Sequence, residues 1–407
     1  MKDVRKMQLE KYTTNEKVLL FGRWTSKIGD IIFDYVNSTM IVRSNYESSI
    51  LLAIYQSSEI FVSLIFNVMG GVTADGNDKK KFIVITDMLC GVVSFILSFF
   101  VESKLLAYFM VIANMLLAIF HSFNAPIYKS ITREIIQKER IGKINSISNG
   151  GAEIVAVFAP LLGIRMVYVY GARVALLFTA FIFFISGLSE LLMKRIELTT
   201  EIAEKESVCK KIIEGFRYLV SQKNLISLIL LSAFINFFLA GYNLLVPYTT
   251  QFMNTVVEDF YGKVLIAEAV GGIIGSIICS KIKPENYKID VINGLLLIIG
   301  ISLICVPILG KTNNFIVCIL PFLICTSVMT VFNIQCMTII QMTTDKSFLG
   351  RIFSIVFITS TVFMPCGSFT FSAICNKLKI YSFLVVGGGI ILADFVHIIL
   401  KNIQMGK

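Results

Sequence analysis

Residues 18–42 read VLLFGRWTSKIGDIIFDYVNSTMIV, an apolar stretch that also carries Arg23, Lys27, Asp30 and Asp34. As a helix with a rise of about 1.5 Å per residue, it would span roughly 37 Å, against about 30 Å for the hydrocarbon core of a membrane. Each charge near the centre of that core would cost about 2.5–3.5 kcal/mol. At about 100° per residue, however, the four side chains share one narrow face of the helix. The stretch therefore predicts a membrane-spanning helix whose charged face points into a bundle of helices and not toward lipid.

The whole chain has the composition of a membrane protein. Hydrophobic residues make up 56% of its 407 residues and charged residues only 16%, whereas soluble domains have about 25% charged residues. Apolar segments of membrane-spanning length follow one another along the chain. They lie at 18–42, 50–72, 82–101, 105–127, 146–168, 172–193, 225–247, 263–282, 290–309, 314–334, 351–373 and 381–400. The predicted fold class is an all-α membrane protein with twelve transmembrane helices.

The longest polar stretch divides these segments into six and six. The predicted domains are an N-terminal six-helix bundle at 1–193, a cytoplasmic linker at 194–224 and a C-terminal six-helix bundle at 225–407. Within the linker, apolar residues recur at helical spacing from Val208 to Leu219, with lysines on the opposite face. This pattern predicts an amphipathic helix that lies on the membrane surface.

Lysines and arginines are concentrated in the N-terminal arm, in every second loop and in the C-terminal tail. By the positive-inside rule, both termini are expected in the cytoplasm. The same bias produces the net charge of +10, which suggests contact with anionic lipid headgroups and no nucleic acid as a partner. The nine cysteines form no CxxC pair, and the two histidines, His121 and His397, lie far apart. We therefore expect no metal site and no cofactor.

The two halves of the chain contain similar stretches. RIGKINSI at 140–147 and FLGRIFSI at 348–355 share a glycine, a basic residue, an isoleucine, a serine and a final isoleucine in the same order. FAP at 158–160 and FMP at 363–365 follow them at corresponding places. Two pseudo-symmetric halves, related as parallel six-helix repeats, are an architecture of membrane transporters.

One loop resembles a family signature. GGVTADGNDKKKFIVITD at 70–87 is similar to the loop between helices 2 and 3 of the major facilitator superfamily, with Gly71, Asp75 and the basic cluster that starts at Lys79. Further stretches are similar to the macrolide-efflux branch of its drug exporters. They are FHSFNAPIYKSITREII (120–136), EGFRYLVSQKNLISLILL (214–231), YNLLVP (242–247) and FLGRIFSIVFITSTVFMPCG (348–367).

The resemblance implies a secondary active transporter of the cell membrane. It would export hydrophobic or amphipathic small molecules, such as macrolide drugs, by proton antiport, with membrane lipid around it and no further subunit required. A proton-coupled importer of a nutrient or peptide, or a peptide exporter of the same fold, stays open as an alternative. The chain has no P-loop and no HExxH motif, which argues against a polytopic membrane enzyme.

The resemblance also implies a cytoplasmic gate. Asp75 would accept hydrogen bonds from the N-terminus of helix 11 at Gly350 and Arg351, where the helix dipole favours an anion. The remaining predicted gate residues are Gly71, Lys79 and Lys80. The alternative is a tight turn in which the lysines serve only as positive-inside residues.

Carboxyl groups within predicted helices are candidates for proton coupling. Burial disfavours the charged form of a carboxyl group, and a neighbouring base favours it, so such a group can bind and release a proton. The candidate residues are Asp34, Asp30, Glu59, Lys27 and Arg23. We favour Asp34 as the titrating group and Asp30 as the partner of Lys27. A structural ladder of salt bridges is the alternative for the first helix.

In the resembled family, helices 4 and 7 line the central cavity. The candidate substrate-binding residues are Asn114, Glu153, Asn236, Phe237, Tyr242 and Asn243. Together they would form an apolar pocket with a few hydrogen-bonding groups. Ordinary helix packing is the alternative for the aromatic residues. Glu153 would face either a cationic group of a ligand or a base of the first helix.

Overall fold

The computed structural model describes a helical chain. The described residues are 2–44, 48–73, 79–136, 138–193, 216–220, 222–253, 259–282, 289–345 and 348–405. They contain helices and turns and no β-strand, so the all-α part of the predicted fold class is confirmed. The chain forms two compact units, Met1–Glu201 and Ile202–Lys407, which are described separately.

Unit 1 (Met1–Glu201) consists of long helices joined by short connections. Their bounds are α1 Lys2–Arg43, α2 Ser48–Thr73, α3 Lys79–Ser98, α4 Leu106–Ile135, α5 Lys138–Arg165 and α6 Gly171–Glu190. α5 ends in a π-helical turn, Met166–Tyr170. Gly171 follows with φ of +83°, a backbone conformation that glycine adopts without steric cost, and the chain turns there into α6.

Unit 2 (Ile202–Lys407) is also built from long helices. Their bounds are α7 Lys223–Leu245, α8 Phe260–Lys281, α9 Ile289–Leu309, α10 Phe315–Thr343, α11 Leu349–Leu378 and α12 Ser382–Met405. Side-chain caps fix two of the helix starts. The Asp259 carboxylate accepts a hydrogen bond from Gly262 N at 3.2 Å, and the Asn314 side chain accepts one from Ile316 N at 3.0 Å. Both caps satisfy donors of the first helical turn.

The two units pair their helices in the same way. In unit 1, α1 packs against α5 and α6, α3 against α4 and α6, and α2 against α4. In unit 2, α7 packs against α11 and α12, α9 against α10 and α12, and α8 against α10. Each pair in unit 2 is a pair of unit 1 moved on by six helices. The similar stretches at 140–147 and 348–355 lie at the starts of the equivalent helices α5 and α11.

Much of the described chain is apolar enough to cross a membrane. Eight helical stretches have the required length and hydropathy, among them Lys79–Ser98 and Asp290–Thr312. Gly150–Glu190 and Arg351–Ile399 each pass through two consecutive helices. α1 is not among the eight, because its four charges lie too close together for an apolar window. The protein is therefore a multi-pass membrane protein.

Small residues allow helices of unit 2 to approach closely. A Cβ atom on Gly275 of α8 would overlap the carbonyl oxygen of Ser327 on α10 and lie 2.8 Å from Thr330 Cβ. Within a membrane, lipid is as apolar as the helix surface, so association depends on close backbone packing. A Cβ atom on Gly272, one turn nearer the start of α8, would meet only Thr330 Oγ1, at 3.8 Å.

Gly275→Ala is expected to destabilise the protein by roughly 1–3 kcal/mol, because α8 and α10 must move apart. Gly272→Ala is the matched control and should be neutral or stabilising, since alanine favours a helix more than glycine does. The midpoint of thermal unfolding of the purified protein in detergent measures both. Equal midpoints for the two variants would show that the close approach of α8 and α10 does not determine the stability of the protein.

Candidate functional site

The charged face of α1 is the accessible face of that helix within unit 1. Arg23, Lys27 and Asp34 are exposed and Asp30 is half-buried. On the opposite side of the helix, Ile32 is completely buried against the rest of the unit. The helical period that groups the apolar residues on one side therefore groups the charges on the other.

Asp30 contacts a histidine that the sequence analysis considered only as a metal ligand. His121 Nε2, on α4, lies 3.3 Å from Asp30 Oδ1. The same nitrogen lies 3.6 Å from Cys90 Sγ on α3. Among the described residues, Lys27 makes no salt bridge with Asp30, so the predicted Lys27–Asp30 pair is replaced there by His121. An ionisable residue within an apolar segment is itself a signal for a functional site, and His121 lies in the segment 105–127.

Asp34 and Glu59 complete the group around this histidine. Tyr55 is buried on α2, and its hydroxyl hydrogen-bonds with Asp34 and accepts from Asn37 Nδ2 at 3.5 Å. Glu59, one turn further along α2, is exposed and interacts electrostatically with both Asp34 and His121. Three of the predicted proton-coupling residues, Asp30, Asp34 and Glu59, thus surround one contact region of α1, α2 and α4.

A buried carboxylate lies next to this region and was missed by the sequence analysis. Asp87 on α3 is completely buried. Its Oδ1 accepts from Asn124 Nδ2 at 3.3 Å and from Ser26 Oγ at 3.5 Å, whereas no donor reaches its Oδ2. The Asn124 amide is oriented by Thr86, whose hydroxyl donates to Asn124 Oδ1 at 2.5 Å. An acidic residue inside the apolar segment 82–101 was the available signal.

A second buried acid lies at the end of α6. Glu190 is completely buried and accepts a hydrogen bond from the Tyr128 hydroxyl on α4. Its Oε1 is packed against Gly22 of α1, where a Cβ atom would come within 2.9 Å. The neighbouring backbone of α1 is held by Ser186, whose hydroxyl donates to the Gly22 carbonyl at 2.8 Å. Glu190 therefore fixes α1, α4 and α6 together.

Two of the predicted gate lysines are engaged inside unit 1. Lys80 Nζ donates to the carbonyl oxygens of Leu191 at 2.5 Å and Met193 at 2.7 Å, just after the end of α6. Lys79, at the first position of α3, is buried. A positive charge at a helix C-terminus interacts favourably with the helix dipole and satisfies carbonyls that have no intrahelical partner.

The remaining gate residues are only partly visible. Asp75 lies outside the described residues. Gly71 belongs to the last turn of α2, and Gly350 to the first turn of α11. The Arg351 guanidinium lies over the Phe348 ring, with its central carbon 5.0 Å from the ring centroid.

Unit 2 contains an apolar cavity between α7 and α11. Its volume is about 430 Å³, and it is lined by Phe234, Phe237, Phe238, Val362, Phe363 and Cys366. Gly367 keeps the two helices close together at one end, because a Cβ atom there would overlap the Phe237 carbonyl oxygen. Cys366 is the exposed cysteine among those that the structure describes. The cavity offers aromatic rings and no charged group.

Other predicted substrate-binding residues of α7 lie away from this lining. Asn236 Nδ2 donates to the Ser232 carbonyl of its own helix at 2.8 Å. Tyr242 is buried, and its hydroxyl donates to the Glu268 carboxylate on α8. Asn243 is exposed. Phe237 is the predicted residue that lines the cavity.

The two predicted substrate-binding residues of unit 1 differ in how far they are described. Asn114 on α4 is buried, and its Nδ2 donates to the Tyr55 carbonyl at 2.9 Å, which joins α4 to α2. Glu153 lies on α5, but its side chain is outside the described part of the structure.

Known proteins share both the sequence pattern and the fold. The family model of the transmembrane secretion effectors matches residues 17–407. Macrolide efflux protein A of Streptococcus pyogenes is 20% identical over 397 residues, which cover 94% of this chain and 96% of that protein. An uncharacterised major facilitator-type transporter of Bacillus subtilis, YfmI, is 24% identical over 292 residues, or 69% of this chain and 70% of that protein. The resemblance predicted from sequence is therefore confirmed.

Solved structures of transporters have the same fold. A bacterial homologue of the iron transporter ferroportin, in an inward-facing state, has a TM-score of 0.75 at 15% identity, with 94% of this chain and 97% of that chain covered. The nucleoside transporter NupG has a TM-score of 0.70 at 14% identity, with coverage of 97% and 98%. At these identities the similarity shows the fold and not the substrate.

Tyr242→Phe is expected to destabilise unit 2 by about 1–3 kcal/mol, because the Glu268 carboxylate loses a donor that water cannot replace in the protein interior. Glu268→Gln keeps an acceptor oxygen and should cost less. Thermal midpoints of the single variants and of the double variant form a mutant cycle that isolates the Tyr242–Glu268 term. Strictly additive effects would mean that the two side chains do not stabilise each other.

Proposed function

Since this chain belongs to the transmembrane secretion effector family of major facilitator superfamily transporters, we propose that it exports hydrophobic or amphipathic small molecules in exchange for protons. Macrolide-like drugs are the proposed substrate class, because relatives of this chain are named macrolide efflux proteins. Its family and fold are those of transporters and not of enzymes. Its substrates are small molecules, and no cofactor enters the proposal.

The proposed architecture has twelve transmembrane helices in two six-helix halves, at 1–193 and 225–407, with a cytoplasmic linker at 194–224. The repeated set of helix pairs in the two units supports it. We count α1 as a crossing because its length and apolar face fit a membrane span, and its charged face needs polar neighbours or water. The distribution of lysine and arginine supports termini on the cytoplasmic side. The membrane that we propose is the plasma membrane. Most of the predicted amphipathic helix of the linker lies outside the described residues.

The observation that carries the proposal is a cluster of three carboxylates, two on the accessible face of α1 and one on α2. Asp30 and Glu59 interact with His121, and Asp34 interacts with Asp30, on helices that are mostly apolar. Burial disfavours the charged form of a carboxyl group and a neighbouring base favours it, so such a group can bind and release a proton. Alternating access changes both terms, so one group can bind a proton on one side of the membrane and release it on the other. We favour Asp34 as that group.

The cavity of unit 2 supports the substrate class. A lining of phenylalanines with no charged group selects apolar surface by shape and contact, as drug-sized ligands require. Its volume of about 430 Å³ is that of a typical small-molecule site. Phe237 is the residue of the lining that the sequence also predicted to bind substrate. A large macrolide would insert only part of the molecule into a cavity of this volume.

The direction of transport is proposed from the relatives that are named macrolide efflux proteins. A gate at the cytoplasmic ends of the helices would enforce it. In this gate Asp75 accepts hydrogen bonds from the start of α11, at Gly350 and Arg351, and breaks them when the cytoplasmic side opens. Import by proton symport on the same fold is the second candidate, because the carboxylate group would serve either direction.

Cells that produce the protein should accumulate less of a labelled macrolide than cells without it, and a protonophore should remove the difference. Phe237→Ala should change the ranking of a panel of labelled apolar compounds, while Phe252→Ala, which lies outside the cavity lining, should leave the ranking unchanged. Higher accumulation in producing cells would favour import. Unchanged accumulation of every compound in the panel would contradict drug export.

Modification of Cys366 by a thiol reagent reports occupancy of the cavity directly. Cys209, in the polar stretch 194–224, lies outside the described residues and is replaced by serine so that it does not compete for the reagent. In this purified protein, a transported macrolide should slow labelling of Cys366, because the ligand covers an exposed side chain of the lining. The Phe237→Ala variant should weaken this protection. A ligand that is transported but leaves the labelling rate unchanged would place the binding site outside the cavity.

Asp34→Asn is expected to abolish proton-driven transport and to leave substrate binding measurable but independent of pH, since asparagine cannot exchange a proton. Substrate-induced proton release from purified protein between about pH 6 and 9 measures the coupling. Asp394→Asn, on α12 of unit 2, is the control for loss of a carboxyl group within another apolar helix. Wild-type proton release from Asp34→Asn, Asp30→Asn and Glu59→Gln alike would assign these residues to a structural ladder.

A further inference from the structure

We propose that His121, Asp30 and Asp87 bind protons as one joint site inside unit 1, in which the imidazole ring is the base that two carboxylates share. Neither His121 nor Asp87 is among the predicted proton-coupling residues. The role of this site in transport rests on the proposed proton coupling, but proton binding itself can be measured on the purified protein without a substrate.

The first contact of the joint site is partly exposed on unit 1. His121 Nε2 and Asp30 Oδ1 are 3.3 Å apart, and the two side chains are 31% and 29% exposed. A protonated imidazole at this distance forms a salt bridge with the carboxylate, and a neutral imidazole does not. Both groups are only partly buried, in contrast to the second carboxylate of the joint site.

The second carboxylate is sealed. Asp87 is completely buried, and its Oδ2 receives no hydrogen bond. Within the described residues, no lysine or arginine lies at salt-bridge distance from it. A buried carboxylate with neither a cation nor a full set of donors is costly, so Asp87 needs either its own proton or a positive charge nearby.

His121 is the group that can supply this positive charge. Its Nε2 contacts Cys90 Sγ, which lies one turn along α3 from Asp87. Asp87 interacts electrostatically with both His121 and Asp30. One proton on the imidazole therefore compensates Asp30 at the accessible end and Asp87 at the buried end. Groups coupled in this way titrate together and not as independent residues.

Every helix that packs around His121 contributes to this balance. Asp30 faces it from α1, with Asp34 and Lys27 further along the same helix. Glu59 faces it from α2, and Asp87 and Cys90 face it from α3. From α6 it meets the uncharged ring of Phe183, with ring centroids 6.5 Å apart. The titratable groups that these helices bring toward His121 are therefore predominantly acidic.

The chain provides its own control for the experiment, because it contains only two histidines. His397 on α12 is buried and belongs to unit 2, with Asp394 three residues before it. Protein with isotopically labelled histidine, in detergent or in nanodiscs, gives two sets of imidazole NMR signals that can be followed against pH. His121→Gln removes one set and assigns the other.

The proposal predicts that Asp87→Asn and Asp30→Asn each move the titration midpoint of His121 to lower pH, by about one unit, because each removes a negative charge that stabilises the imidazolium ion. His397 should keep its midpoint in both variants, which also checks that unit 2 remains folded. Asp394→Asn, the matched control, should affect only His397.

Two results would overturn the joint site. If Asp87→Asn leaves the His121 titration unchanged while Asp30→Asn shifts it, Asp87 is a neutral hydrogen-bonding partner of Asn124 and the site contains two residues. If His121 keeps one protonation state across the measured range in every variant, the imidazole is not the shared base.

Transport measurements separate this proposal from the proposed function. A coupled titration in purified protein that exports none of the tested compounds would support the joint site and contradict drug export. If export is established, His121→Gln should alter the dependence of the export rate on external pH more than the apparent affinity for substrate. An unchanged pH profile in that variant would contradict a role of the joint site in coupling.

Discussion

Charge is not tolerated against hydrocarbon, and this constraint determines how unit 1 is arranged. α1 carries two bases and two acids within a short part of a membrane-spanning helix, so it must present that face to other polar groups or to water. α2, α3 and α4 each contribute an ionisable residue near this region, namely Glu59, Asp87 and His121. The apolar face of α1 then packs inward, with Ile32 fully buried. The helix packing of unit 1 and its acid–base chemistry are consequences of the same face.

The two units share one set of helix pairs but differ in chemistry. Unit 1 gathers carboxylates around a histidine, whereas unit 2 has an apolar cavity and pairs the half-buried Glu268 with Tyr242. Equivalent helices of the two units thus position different kinds of side chain. In a coupled transporter, the energy source and the cargo need different surroundings, because protons require exchangeable polar groups and hydrophobic molecules require their absence.

Segment positions and the family could be read from the sequence, because a helical period and membrane-spanning length are local properties. The grouping of the four charges on α1 follows from spacing alone. The partners of these charges do not, since His121 is far from Asp30 in sequence and only packing of α4 against α1 brings them together. The same holds for Asp87, which could be recognised only as an acid in an apolar segment. For Asn114 and Asn236, the sequence showed a polar side chain but not that a backbone carbonyl already engages it.

The bonds from Lys80 to the carbonyls of Leu191 and Met193 have a mechanical consequence. They join the first turn of α3 to the chain just beyond α6, and the polar stretch that connects the halves begins at the next residue. A pull on that stretch is therefore transmitted to the start of α3, and a displacement of α3 is transmitted to the connection. Through a single ammonium group, the start of α3 and the chain at 191–193 are therefore constrained to move together.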